Sequence, residues 1–206
     1  MSPVDQSALH DNLAEHGLAA NGTVSPDDGG TIVLLSPSAG FWDIFTASLE
    51  YGDGAADPMD RWSARIVSAI AAQLGAHPLF PFGDEPAPFF RWAQESGRAW
   101  QSPVQLLVGS DMGLNVSYRG GLRFKERFSL VEETRPCETC AQLCTSACPV
   151  SALTADGYDV AACKAYLAST LDAPCLEHGC AVRRSCPVSR LQTPAHAQFH
   201  MEAFLR

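Results

Sequence analysis

All eight cysteines of this 206-residue chain fall between positions 137 and 186, and the first 136 residues contain none. This constrains the fold more than any hydrophobic pattern does. Cys137, Cys140, Cys144 and Cys148 fall inside twelve residues, close enough for a single loop to bring several of their thiols together. The other four follow as Cys163, Cys175, Cys180 and Cys186. The length exceeds one average domain and falls short of two, so a main body with a smaller appended module is expected. Cysteine usage places the junction near 132–136, giving a body at 1–132 and a module at 133–206.

The body reads as strands interleaved with helices, an α+β sandwich. Ser2, Pro3 and Asp5 form a helix-start signal, and Leu9, Leu13 and Leu18 continue at helical spacing towards Gly17 and Gly22. Residues 31–36 (TIVLLS) form a short branched run between Gly30 and Pro37, the pattern of a buried strand. Residues 41–51 read as helical. A further helix starts at Asp57-Pro58, presents Trp62, Ile66, Ile70 and Leu74 on one face and stops at Gly75. A short helix is expected at 88–96 and strands at 104–108 and 114–124. In the last of these Leu114, Val116 and Tyr118 alternate with polar residues, and Gly120-Gly121 read as a bulge in one long strand rather than a hairpin turn.

Charge narrows the functional classes. The net charge is −9, and the first 136 residues hold 9 basic and 17 acidic side chains against 5 and 6 in the rest. No Lys/Arg stripe is present to neutralise phosphates, which argues against nucleic acid and anionic membrane surfaces as partners. An acidic body suits a cationic redox partner protein. Residues 1–22 lack a basic region followed by an apolar run, and no stretch of about 18 apolar residues occurs, so a soluble, cytoplasmic protein is expected. Dinucleotide-binding, Walker A and His-Glu-x-x-His motifs are missing, and no catalytic triad or paired carboxylates stand out. Of the six histidines, only His196 and His200 have an i, i+4 spacing, and without further ligands that pair reads as a surface coincidence.

The cysteines themselves form two runs, Cys137-x2-Cys140-x3-Cys144-x3-Cys148-Pro149 and Cys175-x4-Cys180-x5-Cys186-Pro187. A [4Fe-4S] cluster needs four thiolates, and in two-cluster ferredoxins the cysteine preceding proline ligates the other cluster. Both runs here end in Cys-Pro. The rule assigns Cys137, Cys140, Cys144 and Cys186 to one cluster and Cys148, Cys163, Cys175 and Cys180 to the other. Cys163 would project from a helix capped by Asp159. The spacings depart from the bacterial pattern through an x3 in place of x2 and a stretched second run. Four disulfides are disfavoured by the core-forming composition and the expected compartment. Zinc at the Cys137-x2-Cys140 half-site and a single cluster with idle cysteines remain as rivals.

The segments PCETCAQLCTSACPVSAL, DVAACKAYLAST and GCAVRRSCPVS together resemble the ferredoxin-like two-[4Fe-4S] module of epoxyqueuosine reductases, across residues 137–189. That family has a cysteine between its Gly-Cys and Cys-Pro positions that this sequence lacks, and Cys175 is the available substitute. The segments TIVLLSPSAGFWD, DPMDRWSARIVSAI and GLNVSYRGGLRF, over roughly residues 30–127, resemble the cblC-type cobalamin-processing proteins. That resemblance implies a nitroreductase-like α/β sandwich able to hold cobalamin or flavin, with Arg119 as a pocket arginine. The bland alternative for Arg119 is a solvated strand residue beside the glycines, and His77-Pro78 reads as a loop rather than a cobalt ligand. The expected function is electron transfer through two [4Fe-4S] clusters. The alternative is a corrinoid- or flavin-dependent reductase, or a cobalamin-processing protein, with the clusters as electron relay; if the chain is an enzyme, it is an oxidoreductase.

Overall fold

The computed structural model describes residues 6–170, 172–190 and 192–206; the helix-start signal at Ser2, Pro3 and Asp5 lies outside them. Helix accounts for 39% and strand for 17%, which places the chain in the mixed α+β class. In chain order the elements are helix α1 (Gln6–Ala14), strands β1 (Leu18–Val24) and β2 (Thr31–Pro37), and helices α2 (Phe41–Thr46), α3 (Leu49–Gly52) and α4 (Pro58–Leu74). Strand β3 (His77–Leu79), helix α5 (Phe89–Glu95) and strands β4 (Ala99–Gln101), β5 (Leu107–Gly109) and β6 (Gly120–Phe124) follow. After a 3-10 turn (Leu143–Thr145) come strands β7 (Leu153–Thr154) and β8 (Gly157–Tyr158), then helices α6 (Val160–Ser169), α7 (Pro174–His178), α8 (Ala181–Ser185) and α9 (Pro194–Leu205).

These elements gather into two compact units. One comprises the chain up to Arg98 together with Ser117–Glu132, the other Ala99–Val116 together with Glu133–Arg206. A boundary thus falls after Glu132, but Ala99–Val116, which the sequence reading put in the body, belongs with the cysteines. Hydrogen bonds explain the difference. Leu114 N donates to Ser189 Oγ at 2.9 Å, and Asn115 Nδ2 donates to the Arg190 carbonyl at 2.8 Å. Both fasten this segment to the chain just after Cys186-Pro187.

The first unit is built on an antiparallel sheet of order β1-β2-β6-β3. Ile32, Val33, Leu34 and Leu35 of β2 are all buried, as a central strand covered on both faces requires. Helix α4 buries Trp62, Ile66, Val67 and Ile70 and ends on Gly75 in the left-handed conformation. The Trp62 ring meets Phe41 edge-on at 5.2 Å and Phe45 at 6.1 Å. Each buried side chain of this size contributes about 1.5–3 kcal/mol.

Several expectations are corrected here. The first helix ends at Ala14, and Leu18 opens β1 instead of extending it. Gly17, at φ +65°, makes the break, and a Cβ there would stand 2.6 Å from Phe41 Cα. Residues 41–51 divide into α2 and α3, with the Ser48 side chain capping the second. The 104–108 strand is displaced to β5, paired with β4. Residues 114–119 form no strand, and β6 begins only at Gly120. Gly120 and Gly121 sit in regular register opposite Leu35 and Leu34, so they are not a bulge. Their lack of a side chain admits close neighbours: a Cβ on Gly120 would lie 3.1 Å from Val67 and one on Gly121 3.2 Å from the Val33 carbonyl. The irregularity lies instead in β1, between Ala20 and Thr23. His77-Pro78, read as a loop, is in β3, where the edge of the sheet tolerates proline.

Glu50 of α3 is a buried carboxylate that Arg65 of α4 grips at 2.5 and 2.9 Å. The Arg65 hydrogen bond outweighs burial and holds its pKa near about 2, against an ordinary 4.5. Because the folded value is depressed, ionised Glu50 stabilises the fold above pH about 4.5, and that contribution is lost as pH falls towards about 2. Arg65 is half exposed, so solvent screening limits the pair to about 1 kcal/mol. Thermal unfolding of Glu50→Gln from pH 7 to pH 2.5 should show a lower midpoint at neutral pH and a gap to wild type that narrows in acid. A constant gap at every pH would remove the ion pair from the explanation.

Candidate functional site

In the second unit the first cysteine run is shaped by turns rather than by regular elements. Cys140 N donates to the Cys137 carbonyl at 3.4 Å, and Thr145 N donates to the Gln142 carbonyl at 3.0 Å. Gln142 takes φ +54°, which reverses the chain between Cys140 and Cys144. Two backbone amides point at sulfur: Gln142 N donates to Cys140 Sγ at 3.3 Å and Ala152 N to Cys148 Sγ at 3.1 Å.

The other cysteines are set by helix ends. Asp159 caps α6 through a 2.9 Å bond from Ala162 N, which leaves Cys163 in the first turn, as the sequence spacing predicts. Cys175 lies in α7, whose first residue is Pro174. Helix α8 carries Cys180 at its N-cap and Cys186 at its C-cap. At 1.5 Å per helical residue those two positions are on the order of 9 Å apart.

The structure brings Cys137, Cys140, Cys144 and Cys186 onto one recess, lined also by Pro103, Val108, Leu114, Leu143 and Pro187. No charged side chain is among its described lining residues. Burial pushes the Cys137 and Cys144 thiols above their ordinary range. Cys186 and Cys140 add to this at both positions, and Cys137 adds to it at Cys144. Arg135 offsets part of the rise at Cys137.

Cys163 and Cys175 belong to a second apolar cluster with Leu167, Ala173 and Met201. Burial pushes Cys175 up, the Ala181 amide and Arg184 oppose that, and Cys180 and Cys163 reinforce it. Cys163, Cys175 and Cys180 are therefore electrostatic neighbours. Cys148 is placed differently: it packs, as Cys180 also does, against the cluster that contains Cys144, Val108 and Leu114.

Among the described residues, no three His, Cys, Asp or Glu side chains converge closely enough to grip a single metal ion. A tetrahedral zinc needs its sulfurs about 2.3 Å from one point. A cube of iron and sulfide instead takes each thiolate at a separate corner, and four thiols around an apolar recess suit that wider donor set. Burial and mutual repulsion favour neutral thiols, so a cationic iron core is what would draw them into the thiolate form.

Arg119, the pocket arginine implied by resemblance, is neither in a strand nor solvated. Its amide donates to the Leu35 carbonyl at 2.8 Å, its Nη1 lies 3.5 Å from Asp60 Oδ1, and its buried Nε has no hydrogen-bond partner. Burial pushes Arg119 down and Asp60 up, so neither charge is well compensated. His77 is exposed in the first unit, and His196 and His200 lie on α9.

The sequence reading missed Arg183, Ser189 and Gly113. Arg183 stands three residues from both Cys180 and Cys186, a spacing that could have marked it. Comparisons with protein-family models, curated proteins and solved structures return no match. Among the described residues, no helix is long and apolar enough to cross a membrane.

Gly113, at φ +55°, lies so close to Ser189 that an added Cβ would meet its amide nitrogen at 2.4 Å. Gly113→Ala should cost about 1–3 kcal/mol from left-handed strain, with the clash in addition. Denaturant unfolding measures this, and a loss under about 0.5 kcal/mol, the range of a neutral surface change, would mean the Leu114–Ser189 staple yields freely.

Proposed function

We propose that this chain is an electron-transfer protein whose second unit holds two [4Fe-4S] clusters. The observation that carries the reading is the meeting of Cys137, Cys140, Cys144 and Cys186 on one apolar recess, joining cysteines more than forty residues apart in sequence. Cys163, Cys175 and Cys180, with Cys148, supply the second set in a ferredoxin-like arrangement. Bound clusters would accept and release single electrons, and the protein would fix their ligands, exclude water from the first recess and donate amide hydrogen bonds to Cys140 and Cys148 sulfur. The acidic composition favours a cationic redox partner in the cytoplasm.

Anaerobic reconstitution of the full chain should yield roughly eight irons and a broad visible absorbance that bleaches with dithionite. Cys186→Ser should perturb the cluster of Cys137, Cys140 and Cys144, and Cys163→Ser the other. Stoichiometric zinc without inorganic sulfide would overturn the proposal, and two undisturbed cluster signals in Cys163→Ser would remove that ligand.

A second reading is favoured by Arg119. A buried guanidinium with an unpartnered Nε and one loose carboxylate neighbour suits an anionic or carbonyl-bearing ligand, as a flavin or corrinoid is. The first unit would then be a nitroreductase-like sandwich, and the chain a reductase or cobalamin-processing protein with the clusters as relay. Under this reading cob(II)alamin or FMN raises the thermal midpoint by mass action, and Arg119→Lys, which keeps the charge but loses the fork, weakens the rise. Absence of any shift at micromolar ligand leaves the electron carrier alone.

A further inference from the structure

Arg183 occupies the middle of α8, with a cysteine beyond each end of that helix. Its Nη1 donates to the Leu114 carbonyl, which fixes the guanidinium in place. Cys180 and the Tyr158 phenol are its electrostatic neighbours, and among the described residues no carboxylate pairs with it. Burial pushes its pKa down, while Cys180 and Tyr158 push it back up. A guanidinium enclosed without a carboxylate needs its counter-charge from elsewhere, and thiolate sulfur is the anionic group within reach.

We propose that Arg183 is a fixed internal cation that raises the reduction potential of the iron-sulfur cluster held by Cys163, Cys175 and Cys180, setting it apart from the cluster of Cys137, Cys140, Cys144 and Cys186. This rests on the two-cluster reading. A cube bound by four thiolates is anionic, and reduction by a one-electron donor adds one more negative charge without breaking a bond. Arg183 remains protonated throughout, so its charge favours the reduced form. At an effective dielectric constant of about 20, a unit charge roughly 10 Å from the added electron changes that equilibrium about tenfold. A tenfold change corresponds to about 59 mV for one electron. The exposed neighbour Arg184, which donates to the Gly179 carbonyl and also acts on Cys175, is more open to screening by water, so its effect is expected to be the smaller of the two.

The test is a dithionite potentiometric titration, followed by electron paramagnetic resonance, on the reconstituted full-length chain and on Arg183→Gln, Arg183→Lys and Arg184→Gln. Iron and sulfide are counted in every sample. Arg183→Gln should make one of the two clusters about tenfold harder to reduce, while Arg183→Lys stays near wild type and Arg184→Gln moves that cluster clearly less. If Arg183→Gln holds its full iron and neither potential moves, or if Arg184→Gln moves them as far, the inference falls and the two-cluster reading stands. If Arg183→Gln fails to load iron but Arg183→Lys loads it, the requirement for charge is upheld; failure of both points to a structural role and overturns it. Wild-type protein without iron and sulfide would sink the underlying reading instead.

Discussion

The second unit depends on the burial of sulfur. Its apolar clusters are small, and cysteine belongs to both: Cys144 sits with Val104, Val108, Leu114, Leu153 and Val182, and Cys175 with Leu167, Ala173 and Met201. Helices α7 and α8 have five residues each, well below the length at which an isolated helix persists in water. Strands β7 and β8 have two residues each. Such elements are held by what they pack against. Under the proposed reading the packing partner is the iron-sulfur core itself, and ligand binding and folding free energy become one quantity. The first unit has no such dependence, since β2 and α4 bury a conventional aliphatic and aromatic core.

The readings that matched came from residues whose meaning is local. The TIVLLS run became a buried strand, and Asp57-Pro58 and Gly75 bracketed a helix, because branched packing, a proline at a first turn and a left-handed cap act within a few residues. Misreadings arose where the deciding neighbour is distant in sequence. Leu114, Val116 and Tyr118 are all buried and alternate as expected, yet they form no strand. Alternation reports an extended backbone with one covered face, whereas a ladder also needs a partner. Leu114 gives its amide to the Ser189 hydroxyl instead. Gly120-Gly121 carried the same ambiguity: a bulge and a close approach both call for glycine, and only the positions of Val67 and the Val33 carbonyl separate them.

For the site, spacing anticipated more than packing did. The rule that pairs a Cys-Pro cysteine with the other run put Cys186 with Cys137, Cys140 and Cys144, and Cys148 with Cys163, Cys175 and Cys180; the recess holds the first four thiols, whereas Cys148 packs against the cluster of Cys144, Val108 and Leu114. The charges were harder to read. Arg119 and Arg183 are both arginines that burial disfavours, the first with only Asp60 at 3.5 Å beside it, but no local pattern marks a cation as enclosed. Enclosure depends on which distant segments close over the side chain: Arg119 lies near Asp60 of α4, and Arg183 reaches the carbonyl of Leu114, 69 residues away.

Helix α8 makes the two cysteine groups mechanically interdependent. Cys180 and Cys186 flank it directly, so the five residues between them fix one group with respect to the other. The Cys186 carbonyl accepts from Ser189 N, Ser189 holds Leu114, and Leu114 lines the first recess, which closes a ring of contacts around that group. The Cys180 carbonyl accepts from Arg184 N, and Arg183 beside it bonds to Leu114 from the other side. A strain introduced at either end of α8 therefore reaches Leu114 by two routes. Two separately folded loops would let each group assemble alone. A shared helix this short ties the geometry of one group to that of the other, which under the proposed two-cluster reading would keep the separation between the clusters constant.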